Sequence, residues 1–431
     1  MALYTLSQKL PTTAALACFG HLLESNRKSQ ARELTVMHGR ESTERYQPRR
    51  KKMKLAPFLL DQWLQEHGGP HVEFNLGSST GPHWKLGELL ELAGQGALKD
   101  VLNTEVVYSR TAGWPSLRQA IAEMQAVSED QVIVLTGGQE ALFIVFFQAA
   151  EPGANVIVPF PCFPPHRAVP ESLGLEVRSY HLRPENSYRV DLDEVKSLAD
   201  AKTKILLVNS PHNPTGATLS DAEMEMLHDF AAERGIQFVS DEVYHPIYHG
   251  RETASAARLP KATVIGDFSK AFSLSGLRLG WVVEPDAARR KQYMNTREHI
   301  TISNTPVTEF LAEVAVRNRD RVLARTHEEA RANLQHLDRL IAAHADAIAW
   351  IRPLGGMTGF PRLVSGGDAR VFCQAALNDG LLLAPGDCWD VPDHFRIGFG
   401  VGLSWFPRAV ERLGEFLHAW AHKTIPRVVA T

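Results

Sequence analysis

An amine, a guanidinium and several hydroxyls are gathered in the fifteen residues Asp267-Phe268-Ser269-Lys270-Ala271-Phe272-Ser273-Leu274-Ser275-Gly276-Leu277-Arg278-Leu279-Gly280-Trp281. A Ser-Lys pair just past a buried strand, with an arginine eight residues on, suits a lysine held beside an anion. A lysine nucleophile needs a lowered pKa, and a phosphorylated aldehyde cofactor supplies both a target for the amine and a reason for the anion site. Upstream, Thr136-Gly137-Gly138-Gln139-Glu140-Ala141-Leu142 lies between a strand and a helix. Free backbone N–H groups and a helix N-terminus at such a place suit a phosphate dianion. Taken singly, each of these residues also has an ordinary reading: a surface lysine, a tight turn, a tyrosine or phenylalanine packed in a core, an arginine as a surface charge.

The elements around them follow the alternation of an α/β sheet. Helices are expected over Ser116–Gln125, Glu140–Ala150 and Asp221–Arg234, the last ended by Gly235 in a left-handed cap. Strands are expected at Val132–Leu135, Asn155–Pro159, Leu175–Tyr180, Lys204–Val208, Gln237–Ser240 and Thr263–Gly266. Their apolar runs lack alternation, which means burial on both faces and a mainly parallel sheet. Beyond residue 306 the pattern turns to long amphipathic helix, as in Thr308–Ala342, then a strand over Phe395–Phe399 and a closing helix over Pro407–Ala421. The fold class is therefore α/β: a large domain over 101–305 with a mainly parallel central sheet between helices, and a smaller α/β domain formed by both chain ends, 55–100 and 306–431.

Composition bounds the function. The 431 residues are 44% hydrophobic and 22% charged, the balance of a globular chain of one to three domains rather than a disordered one. With 46 basic and 49 acidic residues there is no electrostatic footprint for nucleic acid or a membrane surface. No apolar run is long enough to span a bilayer. Cys18, Cys162, Cys373 and Cys388 are scattered without C-x-x-C spacing. They read as reduced thiols of a cytoplasmic protein, with no metal called for. Residues 1–54 stand apart, with 11 basic against 4 acidic residues and the block Arg49-Arg50-Lys51-Lys52 ahead of Met53. A transit peptide fits poorly with four glutamates, and a DNA-binding module lacks a helix-turn-helix pattern. A basic tail, or translated sequence upstream of a start at Met53, is the expectation.

The string 267–281 resembles the cofactor-lysine motif of the fold type I pyridoxal-phosphate enzymes, the class I/II aminotransferase family of the aspartate aminotransferase superfamily. Further motifs similar to the family's occur in order: Tyr108 with Gly113 and Leu117-Arg118, then Thr136–Leu142, then Pro161-Cys162-Phe163. Asn209-Ser210-Pro211-His212-Asn213-Pro214-Thr215-Gly216 follows, with Ser240-Asp241-Glu242-Val243-Tyr244 after it and Phe395-Arg396-Ile397-Gly398-Phe399 near the end. The resemblance covers residues 72–415 and implies pyridoxal 5'-phosphate joined to Lys270 as an imine. It implies that Asp241 pairs with the pyridinium nitrogen, that Asn213 and Tyr244 donate to the phenolic oxygen, and that Phe163 lies on the ring face. Gly138, Gln139, Ser269, Arg278 and the partner's Tyr108 would hold the phosphate, which requires a homodimer. Arg396 would grip the substrate carboxylate with a two-pronged geometry that lysine lacks, and Gly77 and Asn213 would approach the substrate. Lys270 would move the α-proton as base and acid in turn. The implied activity is exchange of an amino group between a small-molecule amino acid and a 2-oxo acid.

Two departures bear on that reading. Asp267 stands where relatives carry a phosphate-binding hydroxyl, so its carboxylate is expected to turn away from the phosphate site. Gly356-Met357-Thr358-Gly359-Phe360-Pro361-Arg362 departs from the commoner Gly-Gly-x-Phe and leaves side-chain preference open, as it does the pocket roles of His83, Trp84 and His212. With Ser78-Ser79-Thr80-Gly81, the altered loop points to the alternative: the same fold and cofactor in a non-transaminating enzyme, a capreomycidine synthase-like cyclase or oxidase, or a lyase. A non-enzymatic regulator would need a winged helix-turn-helix that 54 residues are too few to hold.

Overall fold

The computed structural model describes residues 54–422, so the basic stretch lies outside the described residues apart from Lys54. In chain order the elements that build the site are α1 (Pro115–Gln125), β1 (Val132–Leu135), α2 (Gly138–Ala149), β2 (Asn155–Phe160), α3 (Pro165–Ser172) and β3 (Glu176–His181). There follow β4 (Thr203–Asn209), α4 (Asp221–Glu233), β5 (Gln237–Asp241), β6 (Thr263–Asp267) and β7 (Gly280–Val283). Then come α5 (Pro306–Arg317), α6 (Arg319–Ala343), β8 (Phe395–Gly398) and α7 (Phe406–Ala421).

Strands β1 to β7 form one sheet in the order β1-β7-β6-β5-β4-β2-β3. All neighbours are parallel except β7, which runs antiparallel to both β1 and β6. The expected mainly parallel sheet is thus present, and the strand omitted from the sequence pattern is β7, which begins in the last two residues of the lysine string. Burial on both sheet faces follows from the two-residue period of a strand. Val132 and Val134 join one apolar cluster with Leu117, Val208, Phe268 and Trp281. Ile133 and Leu135 join the opposite one with Leu142, Val156, Leu207 and Val282. Leu89 and α5 also pack into the first of these.

Local chemistry sets the helix ends. Ser220 caps α4 in a reciprocal box with Glu223, and Gly235 takes the left-handed φ of 68° just past its end. The single long helix expected over Thr308–Ala342 is instead two, α5 and α6, broken at Asn318. Asn318 Nδ2 donates to the Val314 carbonyl at 2.8 Å, a local side-chain bond that competes with helix continuation. A third cluster draws on both chain ends, with Trp63, Phe74 and Leu76 packed among Leu334, Phe395 and Phe416. Helix α6 spans the clusters: Val322 sits in the first and Leu334, Leu337 and Leu340 in the third. Among the described residues no helix is long and apolar enough to cross a membrane.

Strand β8 lies between the short strands Thr358–Gly359 and Ala384–Pro385, antiparallel to both. The loop that departs from the family pattern therefore pairs directly with the strand carrying Arg396. At its last residue β8 meets the backbone of residues 76–80: Gly398 N donates to the Leu76 carbonyl at 2.7 Å, and a Cβ on Gly398 would overlap the Ser78 carbonyl. Gly398→Ala is therefore expected to destabilise the fold by about 2 kcal/mol or more, as overpacking of a closed contact does. Urea unfolding measures this, and an unchanged midpoint would show that residues 76–80 are free to retreat.

Candidate active site

Parallel sheets bind ligands beyond the carboxyl ends of their strands, and β4, β5 and β6 end there on Asn209, Asp241 and Asp267. These ends, the start of α2 and the turn after β6 enclose a cavity of about 220 Å³. Gly138, Gln139, Phe163, Asn213, Asp241 and Tyr244 line it, and so do Ser269, Lys270 and Arg278. Nine residues selected from five separate motifs are thus brought to one place. Lys270 Nζ donates to Ser79 Oγ at 3.0 Å, and Tyr244 Oη donates to the Ser79 carbonyl at 3.3 Å. Arg278 Nη1 donates to Ser269 Oγ at 3.1 Å at the exposed mouth.

Asp241 is held by a partner that the motifs did not disclose. His166, fully buried on α3, places Nε2 2.8 Å from Asp241 Oδ2. The other carboxylate oxygen accepts from Val243 N at 3.2 Å. Asn209 ties the floor together: its Nδ2 donates to the Asp241 carbonyl at 3.0 Å and its Oδ1 accepts from Asn213 N at 2.9 Å. His166 stands three residues past Phe163 in the sequence, and the only signal for it was that a buried carboxylate needs a polar neighbour.

Asp267 contradicts its expected position. Its carboxylate does not turn away; it lines the cavity and accepts from Gly138 N at 2.5 Å and from Ser269 N. A carboxylate at a helix N-terminus is favoured by the unsatisfied amides and the dipole, and that is what holds Asp267 here. The Gly138 amide expected to face a phosphate is therefore engaged by Asp267. The Gln139 amide, also in the first turn of α2, has no intrahelical acceptor.

Arg396 lies next to this cavity rather than on its wall. It is 1% exposed, with Nη2 donating to the Gly77 carbonyl at 2.7 Å and Nη1 to Asn213 Oδ1 at 3.3 Å. Its carbon Cζ sits 4.9 Å over the Trp389 ring, and its buried Nε has no protein partner. Burial pulls the guanidinium below its ordinary pKa, though arginine stays charged. The free donor and the unmatched charge fit a carboxylate arriving from the cavity side. Tyr108 is not brought to this cavity. It is 80% exposed, beside Val106 at 91% and Leu102 at 75%. Trp84, His83 and His212 do not line it either; His212 is buried with Nδ1 2.8 Å from Thr215 Oγ1.

The residues present fit pyridoxal phosphate. A lysine amine, a buried carboxylate with a histidine behind it, an amide and a phenol for one oxygen, and a guanidinium with a hydroxyl for an anion all face one volume. Lys270 would carry the aldehyde carbon, Asp241 the ring nitrogen, Asn213 and Tyr244 the phenolic oxygen, and Gln139, Ser269 and Arg278 the phosphate.

Comparison with known proteins agrees. Residues 87–413 match the family described as aminotransferase class I and II. Capreomycidine synthase of Streptomyces vinaceus is 29% identical over 365 residues, 83% of this chain and 93% of that protein. Arginine–pyruvate transaminase of Pseudomonas aeruginosa is 30% identical over 335 residues, 74% of this chain and 84% of that protein. Among solved structures, the pyridoxal-phosphate-dependent cyclase OrfR superposes with a TM-score of 0.78 at 29% identity, covering 87% of this chain and all of that one.

The buried histidine behind the site makes a pH-dependent cost. Desolvation, with His166 nearby, lowers the His212 pKa to about 3. The unfolded chain binds that proton near the ordinary value, so stability is fully present above about pH 6.5 and falls as pH drops toward 3. Between pH 7 and pH 5 the contribution lost is on the order of 2 kcal/mol. Urea titrations at the two pH values are expected to show His212→Asn losing less stability than the parent; an equal loss would remove His212 as the cause.

Proposed function

The chain belongs to the class I and II aminotransferase family and is an enzyme that uses pyridoxal 5'-phosphate, and from that premise we propose that it moves an amino group between an α-amino acid and a 2-oxo acid. The observation that carries this reading is the meeting of Lys270, Asp241, Asn213, Tyr244 and Arg278 around one cavity, with Arg396 one hydrogen bond from Asn213. The bound cofactor supplies the electron sink that makes the α-proton acidic. The chain's own residues do the rest. Arg396 Nε and its buried charge hold the amino acid by its carboxylate. Asp241, anchored by His166, would keep a proton on the ring nitrogen of the bound cofactor. Lys270 Nζ takes the α-proton and returns it, and the short reach from Ser79 keeps that amine at the cavity wall.

In this reading residues 101–305 form the cofactor-holding domain and 55–100 with 306–431 the smaller one, with α5 and Leu89 packed across onto the sheet. The protein works as a homodimer in the cytoplasm. The exposed strip Leu102, Val106, Val107 and Tyr108 supports the dimer, since an apolar patch of this kind marks an interface. The buried, unbridged Cys162, Cys373 and Cys388 fit a reducing compartment.

A second reading has a specific observation behind it: two of the proteins this chain resembles are a capreomycidine synthase and a cyclase. It keeps every role above but consumes an amino acid without passing its amine to an acceptor. L-Arginine is the first donor to try under either reading, because it is named in the transaminase relative.

Purified protein loaded with pyridoxal phosphate is expected to show a visible cofactor band that Lys270→Ala abolishes. If L-arginine or another amino acid converts the band stoichiometrically and pyruvate restores it, amino transfer stands. If the amino acid is consumed without an acceptor, the cyclising or eliminating reading replaces it. Arg396→Lys is expected to raise the half-saturating amino acid concentration by about tenfold or more, because a lysine cannot bond Gly77 and Asn213 and still present a donor where Nε stands. Unchanged saturation would assign the carboxylate to another residue.

A further inference from the structure

Residues 75–81 contact three of the site's functional groups. Asn75 Oδ1 accepts from Gly77 N at 3.0 Å and sets the turn. The Gly77 carbonyl receives Arg396, and the Ser79 carbonyl receives Tyr244. Between them Ser79 Oγ accepts from Lys270 Nζ at 3.0 Å. Both flanks of Ser79 are clamped. A Cβ on Gly398 would overlap the Ser78 carbonyl, one on Gly400 the Thr80 carbonyl, and one on Gly81 the Ser273 hydroxyl. Ser78 and Thr80 also bridge past Ser79 through their hydroxyls at 2.9 Å. The backbone on both sides of Ser79 is therefore fixed by packing, and from it the hydroxyl reaches the lysine.

We propose that Ser79 is a positioning residue for the reactive lysine, its hydroxyl oxygen accepting a hydrogen bond from the Lys270 nitrogen and favouring the protonated form. This rests on the reading of Lys270 as the cofactor lysine and extends it. A hydrogen bond accepted from a charged nitrogen stabilises the charged state over the neutral one. The side chain at position 79 thereby opposes the lowering that nucleophilic attack calls for and sets the pH at which the free amine holds its proton, and it keeps that amine on the wall shared with Tyr244. No other side-chain hydroxyl is hydrogen-bonded to Lys270 Nζ among the described residues.

The test is the pH dependence of imine formation at Lys270, followed as the rise of the visible cofactor band when pyridoxal phosphate is added to the cofactor-free full chain, for the parent, Ser79→Ala, Ser79→Thr and Lys270→Ala. Removing a hydrogen bond to a charged group is expected to lower the midpoint in Ser79→Ala by about one pH unit, tenfold in proton affinity. Ser79→Thr, which keeps the hydroxyl, is expected to titrate like the parent. A role in packing alone predicts the reverse, since alanine is the smaller disturbance and threonine the larger. The proposal is overturned if Ser79→Ala keeps the parental midpoint, or if threonine shifts it as far as alanine does. A parent protein with no Lys270-dependent band would instead bring down the reading of Lys270 and this proposal with it, so the two failures are distinct.

Discussion

A fully buried guanidinium without an acid is the constraint around which this site is organised. Arg396 is closed off from water, and its protein partners are a carbonyl, an amide oxygen and the face of Trp389. Burying a cation costs several kcal/mol unless it is paired and bonded. Neutral acceptors offset part of that cost and leave a standing demand for an anion. The fold sustains the arrangement by holding β8 between two short strands and by closing its outer face with residues 76–80. Carboxylate binding is then built into the resting protein rather than assembled when a ligand arrives.

Two carboxylates at neighbouring strand ends show how environment separates the roles of identical groups. Asp241 and Asp267 close the adjacent parallel strands β5 and β6, and both are buried. Asp241 turns to a histidine and presents its carboxylate to the middle of the cavity. Asp267 settles on the amides of Gly138 and Ser269 and caps α2 from a distant strand. The first is a charge kept for a ligand; the second is a charge satisfied by the backbone. The cavity that remains is positive at its mouth, where Arg278 stands, and negative at its floor.

Much of this is legible in the sequence. The apolar runs of β1, β4, β5 and β6 identified themselves because a strand buried on both faces needs nothing polar along its length. Resemblance to the family's motifs, taken in order, pointed to nine residues that line the cavity. What escaped had no local signature. His166 sits on a short proline-rich helix and matters only through a residue 75 positions away. Ser79 acts through a lysine 191 positions away. Asp267 was judged by its charge toward a ligand, while its energy is set by two amides that only the tertiary fold brings near. The break between α5 and α6 hinges on one asparagine side chain, against a periodicity that runs straight through it.

Helix α6 gives the molecule its gearing. Its 25 residues are anchored at Val322 in the cluster beneath the sheet and at Leu334 to Leu340 in the cluster that carries β8. From Val322 to Leu340 the rise is about 27 Å, so a tilt of about 5° at one end displaces the other by roughly 2 Å. The two cores are thereby coupled through a rigid spar rather than a slack hinge. A substitution along α6 would then be felt in both cores, under the sheet and beside the strand that carries Arg396.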